Sequence, residues 1–154
     1  MNTRRLLQFS NLDHAIEEAE RLANVPTRIT GQHSHGQIIR HLALTMDVAC
    51  GHEPSPTVPW LIRTVAPWLK RKALAKPVKP GFKLPASAES FFWPNSDIEV
   101  PVAMVHLRDS WRRYQSCSPL PPHPVFGKMT QDEHDKLQCM HFALHLSFVH
   151  PVIG

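Results

Sequence analysis

Eleven of the 154 residues are histidine. Two of them, His141 and His145, stand one turn apart in a stretch with helical periodicity. A pair at i and i+4 on one helix face can present two imidazole nitrogens to a single metal ion. Imidazole is also a common ligand for zinc, nickel, copper and iron. At about 100° per residue, Leu137, His141, Leu144, His145 and Phe148 fall within about a quarter of the helical wheel. This reads as the apolar, core-facing side. His41 is a third candidate, beside Leu42 and at the edge of the apolar stripe of an earlier helix. Side chains from two helices can converge in a bundle core. Three histidines leave coordination positions open, which is the ligand count of a catalytic site, whereas structural zinc sites are normally closed by four.

A lone histidine on an apolar face is more often a core residue satisfied by a hydrogen bond. The i,i+4 pair therefore carries the argument, and His41 rests on spacing alone. His134 lies on the same face nearer the helix start and is a further candidate. Gln37 and Gln138 each lie about one turn from a proposed ligand and can hold a bound water or orient an imidazole. His14, His33, His35, His52, His106, His123 and His150 read as surface or loop residues.

The elements that must position these side chains are helical. Ser10 is placed to cap a first helix with the stripe Leu12, Ile16, Ala19, Leu22 and Ala23, stopped by Pro26. Ser34 is placed to cap a second, whose stripe is Ile39, Leu42, Met46 and Ala49 and which ends at Gly51. A shorter helix is expected from Trp60 to Ala75, begun or kinked by Pro67. From Lys76 to Asn95 the chain carries several prolines and no clear period, the pattern of a long cover or mobile connector. A third main helix runs from about Asp97 to Gln115, with Val100, Ala103, Met104, Leu107, Trp111 and Tyr114 on its buried face. Thr130 to Glu133 has the form of a capping box that opens the last helix, and Pro151 prevents its continuation. No segment shows the alternation of a strand. The expectation is one all-α domain over residues 1–154, a four-helix bundle with an extra short helix and Pro-rich connections.

Composition narrows the function classes. Apolar residues make up 42% and charged residues 19%, an ordinary globular balance. No apolar run approaches the roughly 18 residues that span a bilayer, and no targeting signal is evident, so no membrane partner and a cytoplasmic location are expected. Cys50, Cys117 and Cys139 form no CxxC pair and read as small packing residues. The charge is uneven. Pro54 to Ala88 holds no Asp or Glu, against Arg63, Lys70, Arg71, Lys72, Lys76, Lys79 and Lys83. A solvated basic face is the simpler reading of that run. Trp60 and Trp68 within it keep open an alternative, a non-catalytic bundle that binds nucleic acid or another polyanion. The Phe91-Phe92-Trp93 cluster reads as a local satellite core or as an exposed patch for a homodimer.

The segment Thr30 to Asp47, TGQHSHGQIIRHLALTMD, resembles the G-x-x-S-x-G-Q-x-x-x-H-L segment of DinB-like metal-binding proteins, with His41 at the first metal-binding position. The segment His123 to Pro151 resembles a domain-of-unknown-function branch of that superfamily, which carries HP-x-FG-x-LT and then H-x-x-x-H. His141 and His145 fall on the last two positions. Leu144 departs from many members of the branch, which have histidine there.

The resemblance implies an up-and-down four-helix bundle with a divalent ion, zinc or nickel, on His41, His141 and His145. It also implies a chemistry known among relatives: a thiol-dependent transfer in which a low-molecular-weight thiol attacks an electrophilic small-molecule substrate. Such a thiol is often anionic, and a basic rim would help collect it. A bundle retained as a sensor or interaction module is the remaining class.

Overall fold

The computed structural model describes residues 3–81 and 83–152. It is mostly helical. The helices are α1 (Leu12–Ala23), α2 (His35–Ala49), α3 (Trp60–Ala75), α4 (Ala86–Phe92), α5 (Val100–Ser116) and α6 (Gln131–Leu146). Two three-residue strands, β1 (Thr27–Ile29) and β2 (Val149–Pro151), pair antiparallel, Arg28 opposite His150. The strands were not expected. They form where Pro26 and the end of α6 release the backbone, and their pairing satisfies the backbone groups of these non-helical residues.

The helix ends follow local chemistry. Asn11, one residue beyond Ser10, caps α1 by accepting from the His14 N–H at 2.9 Å. Ser34 and Gln37 form a reciprocal capping box on α2, and Thr130 and Glu133 form another on α6. Gly51 follows α2 with φ of +74°, a left-handed conformation that costs glycine nothing. Pro67 lies inside α3, which runs through it. α4 was not visible as periodicity, because seven residues are too few to establish a period.

α1, α2, α5 and α6 supply the core. Leu12, Ile16 and Leu22 meet Ile39, Leu42 and Met46, with Met104 and Leu107 from α5 and Phe142 and Leu146 from α6. α2 and α5 are the most extensively packed pair. Between them Asp47, 1% exposed, accepts from Arg113 Nε at 2.9 Å and Nη2 at 2.7 Å and from His106 Nε2 at 2.8 Å. A buried carboxylate is tolerable only with such partners.

α6 differs from expectation in a way that bears on the site. Its hydrophobic core contacts are Cys139, Phe142 and Leu146, not Leu137 and Leu144. That face is turned roughly 100° from the one carrying His141 and His145. The helix buries a second, polar stripe as well, and its other buried residues are His134 and Gln138.

The start of α2 is locked to the connector before α5. Ser34 donates to Asp97 at 2.6 Å, and Arg40 donates to the carbonyls of Pro94 at 2.8 Å and Ser96 at 2.6 Å. Gly36 makes this approach possible, since a Cβ there would lie 1.8 Å from the Ile98 carbonyl oxygen. Gly36→Ala should therefore cost about 1–3 kcal/mol by overpacking. Urea unfolding of the variant checks this. An unchanged midpoint would show that the contact is loose enough to absorb a methyl group.

Candidate metal centre

His41, His141 and His145 come together although 100 residues separate the first two. One ligand-capable atom from each lies within 4.8 Å of the others. The three rings meet edge to face, with centroids 4.5–4.8 Å apart. His41 is buried at 4% exposure, while His141 and His145 keep part of their surface accessible.

The protonation pattern of His41 can be read from its partners. Nδ1 lies 3.1 Å from the Phe92 carbonyl oxygen. A carbonyl only accepts, so Nδ1 carries the hydrogen, and Nε2 of the neutral ring carries a lone pair. That Nε2 faces Nε2 of His141 at 3.0 Å. Two nitrogens bound at about 2.0–2.1 Å to one zinc ion would be separated by about 2.9–3.4 Å for angles from 90° to tetrahedral. The spacing and the donor set thus fit a divalent ion. The Phe92 carbonyl supplies the outer hydrogen bond that usually orients a ligating imidazole.

The surroundings keep these rings neutral. Burial holds His41 well below the usual histidine range, helped by His141 and opposed by the Phe92 bond. Burial takes His141 down to about 4, with His123 adding to the effect. His145 is held well below its ordinary value by burial and by His141 and His41. Neutral imidazole is the form that binds metal, so the cluster is ready at neutral pH.

A cover that the sequence did not reveal lies over the cluster. The Trp93 indole is sandwiched between His41, centroids 3.9 Å apart, and His33, 3.7 Å away. Phe92 meets His41 edge-on at 5.9 Å. Phe91, Phe92 and Trp93 are therefore half-buried, with Phe92 and Trp93 packed on the site, as a local satellite core would be. The Arg40 bonds to Pro94 and Ser96 hold this cover in place. Of the histidines that read as surface or loop residues, His35 is buried, His33 stacks on Trp93, and His123 lies close to both His134 and His141.

Of the two glutamines, Gln37 has its amide oxygen engaged by the Ser34 N–H at 2.9 Å in the α2 cap. Gln138 is 7% exposed, and its oxygen is buried without a partner. Cys50, Cys117 and Cys139 are all free thiols. Burial pushes Cys139 up to about 11, so it packs as a small apolar residue.

The chain belongs to the family described as "Protein of unknown function (DUF1569)", whose model matches residues 1–152. No curated protein and no solved structure matches it.

The neutral histidines make a signed prediction for the metal-free protein. An unfolded histidine titrates near 6.5. As the pH falls from about 6.5 toward 4, the unfolded chain takes up protons that the folded chain refuses, and stability falls with it. For His141 the effect has an upper bound on the order of 3 kcal/mol, reduced by solvent screening at its accessible edge. In chelator-treated protein, the stability of wild type relative to His141→Gln should decline over that window. A pH-independent difference would mean that His141 titrates normally.

Proposed function

We propose that this chain is a single-domain, DinB-like up-and-down four-helix bundle that binds one divalent ion, zinc or nickel, through His41, His141 and His145. In this reading it acts as a thiol-dependent S-transferase or a related metal-dependent enzyme. The observation that carries the reading is the approach of His41 Nε2 to His141 Nε2 at 3.0 Å, with His145 beside them and the His41 tautomer set by Phe92.

A divalent ion with an open position lowers the pKa of a bound thiol and favours the thiolate. The protein's own part is orientation and exclusion of water. His141 and His145 keep part of their surface accessible, where a ligand would arrive, while Phe92 covers His41 and Trp93 packs on both His41 and His145. Gln138 offers a free amide oxygen nearby, and Gln37 keeps an amide nitrogen beyond its cap. Lys and Arg side chains of the acid-free segment give an anionic thiol a favourable approach.

Protein purified without an affinity tag and dialysed against zinc should retain about one equivalent by elemental mass spectrometry. His141→Ala and His145→Ala should each retain far less while keeping the wild-type circular dichroism spectrum. Metal-free wild type after dialysis against zinc, nickel and manganese would end this reading.

A second reading has its own observation. On α3, Trp60 is 75% exposed and Trp68 88%. Leu61, Val65 and Leu69 of the same helix are exposed as well, and the acid-free run surrounds them. Basic residues neutralise phosphates and indoles stack on bases, so this surface suits a polyanion. Binding of a mixed-sequence single-stranded oligonucleotide should quench tryptophan emission, weaken steeply with salt, and weaken again in Trp68→Ala. No quenching at low salt excludes this surface as a nucleic-acid site.

A further inference from the structure

The sequence His123-Pro124-Val125-Phe126-Gly127 folds into a small closed loop whose geometry centres on one imidazole. His123 N–H donates to the Gly127 carbonyl at 2.7 Å, and Gly127 N–H returns to the His123 carbonyl at 2.8 Å. Gly127 has φ of +70°, which closes the loop. Inside it, His123 Nδ1 accepts from both Val125 N–H and Phe126 N–H at 3.1 Å. A nitrogen that accepts carries no hydrogen, so Nε2 of the neutral ring carries it. The loop thus fixes a donor and aims it away from its own backbone. Burial, with a contribution from His134, takes His123 down to about 4, which keeps this tautomer at neutral pH.

The ring stands 6.4 Å, centroid to centroid, from His134 on α6. His134 is 2% exposed and Gln138 7%. His134 Nε2 and Gln138 Oε1 are both buried without a hydrogen-bond partner. Along α6 the residues His134, Gln138, His141 and His145 fall within about 60° of one another, and Gln138 lies about 4.5 Å along the axis from His141. This is the second buried stripe of α6. One end is the histidine cluster, and the other end holds polar atoms whose partners are missing from the protein. Such atoms are costly in a folded chain unless something else satisfies them.

We propose that His123 and Gln138, flanked by His134, form a polar subsite for an amide group of a small molecule whose thiol reaches the His41–His141–His145 cluster. The amide carbonyl accepts from His123 Nε2–H, and the amide N–H donates to Gln138 Oε1. One group thereby meets both a fixed donor and an orphaned acceptor, which a carboxylate, having no donor, does not. The inference rests on the metal-and-thiol reading for the far end of the ligand. The subsite itself stands on the loop and the orphaned atoms.

Two probes separate the parts. N-acetylcysteamine carries a thiol and an amide, and 1-propanethiol carries the thiol alone. The zinc-loaded protein should bind N-acetylcysteamine at least tenfold more tightly. That preference should vanish in His123→Asn, whose side-chain oxygen can still accept from the loop N–H groups, and in Gln138→Leu, with zinc content unchanged in both. Equal binding of the two thiols, or a preference that survives both substitutions, would overturn the subsite.

If neither thiol binds the zinc-loaded protein, or if no zinc is held, acetamide titrated into metal-free protein decides. Its binding should move the His123 imidazole resonances in a long-range nitrogen–proton spectrum, and the shift should be absent from Gln138→Leu. Failure of the thiols with success of acetamide rejects the thiol chemistry and keeps the subsite. Silence of His123 toward acetamide, or a shift kept in Gln138→Leu, rejects the subsite whatever the metal result.

Discussion

The hydrogen bond from His41 Nδ1–H to the Phe92 carbonyl is the contact around which the site is organised. It joins the end of α4 to the middle of α2 and decides which nitrogen of His41 keeps a lone pair. It also draws Trp93 against the His41 ring, and with it His33. The supports for this bond lie in neighbouring residues. Arg40, adjacent to His41, grips the backbone at Pro94 and Ser96, and Gly36 lets Ile98 approach α2 closely. A two-atom contact is thus held by several contacts that leave the imidazole alone.

α2 buries polar groups in two opposite ways. Near its middle it buries His41 as an uncharged ring among other uncharged rings. Near its end it buries Asp47 with Arg113 and His106 as partners. A single charge in either place would be expensive. The paired carboxylate ties α2 to α5, and the neutral imidazoles face α6. Separating the two keeps the Arg113 charge, held by Asp47, away from the three neutral rings.

Much of this was legible in the chain. The caps at Ser34 and Thr130 and the stripes of α1, α2 and α5 follow from local rules, and α3 keeps the limits read from its residues. The pairing of His141 with His145 follows from helical spacing. What was not legible depends on two-sided burial and on short segments. α6 has apolar residues on more than one side, so spacing alone does not separate the histidine face from the core face, which Cys139, Phe142 and Leu146 hold. α4 is shorter than any period it could display. His33, Phe92 and Trp93 reach the cluster from irregular backbone, where spacing says nothing about neighbours. His123 was visible as part of a motif, yet only the two N–H groups converging on its Nδ1 distinguish it from a loop histidine.

The cover over the cluster makes its key contact through a backbone carbonyl. Every residue type has that atom, so the identity of the side chain at position 92 is not what sets the His41 tautomer. Phe92 can therefore be exchanged for another residue without removing the acceptor that sets the His41 tautomer. The lone pair of His41 stays where the backbone puts it, while the side chains of the connector are left to pack over the ring.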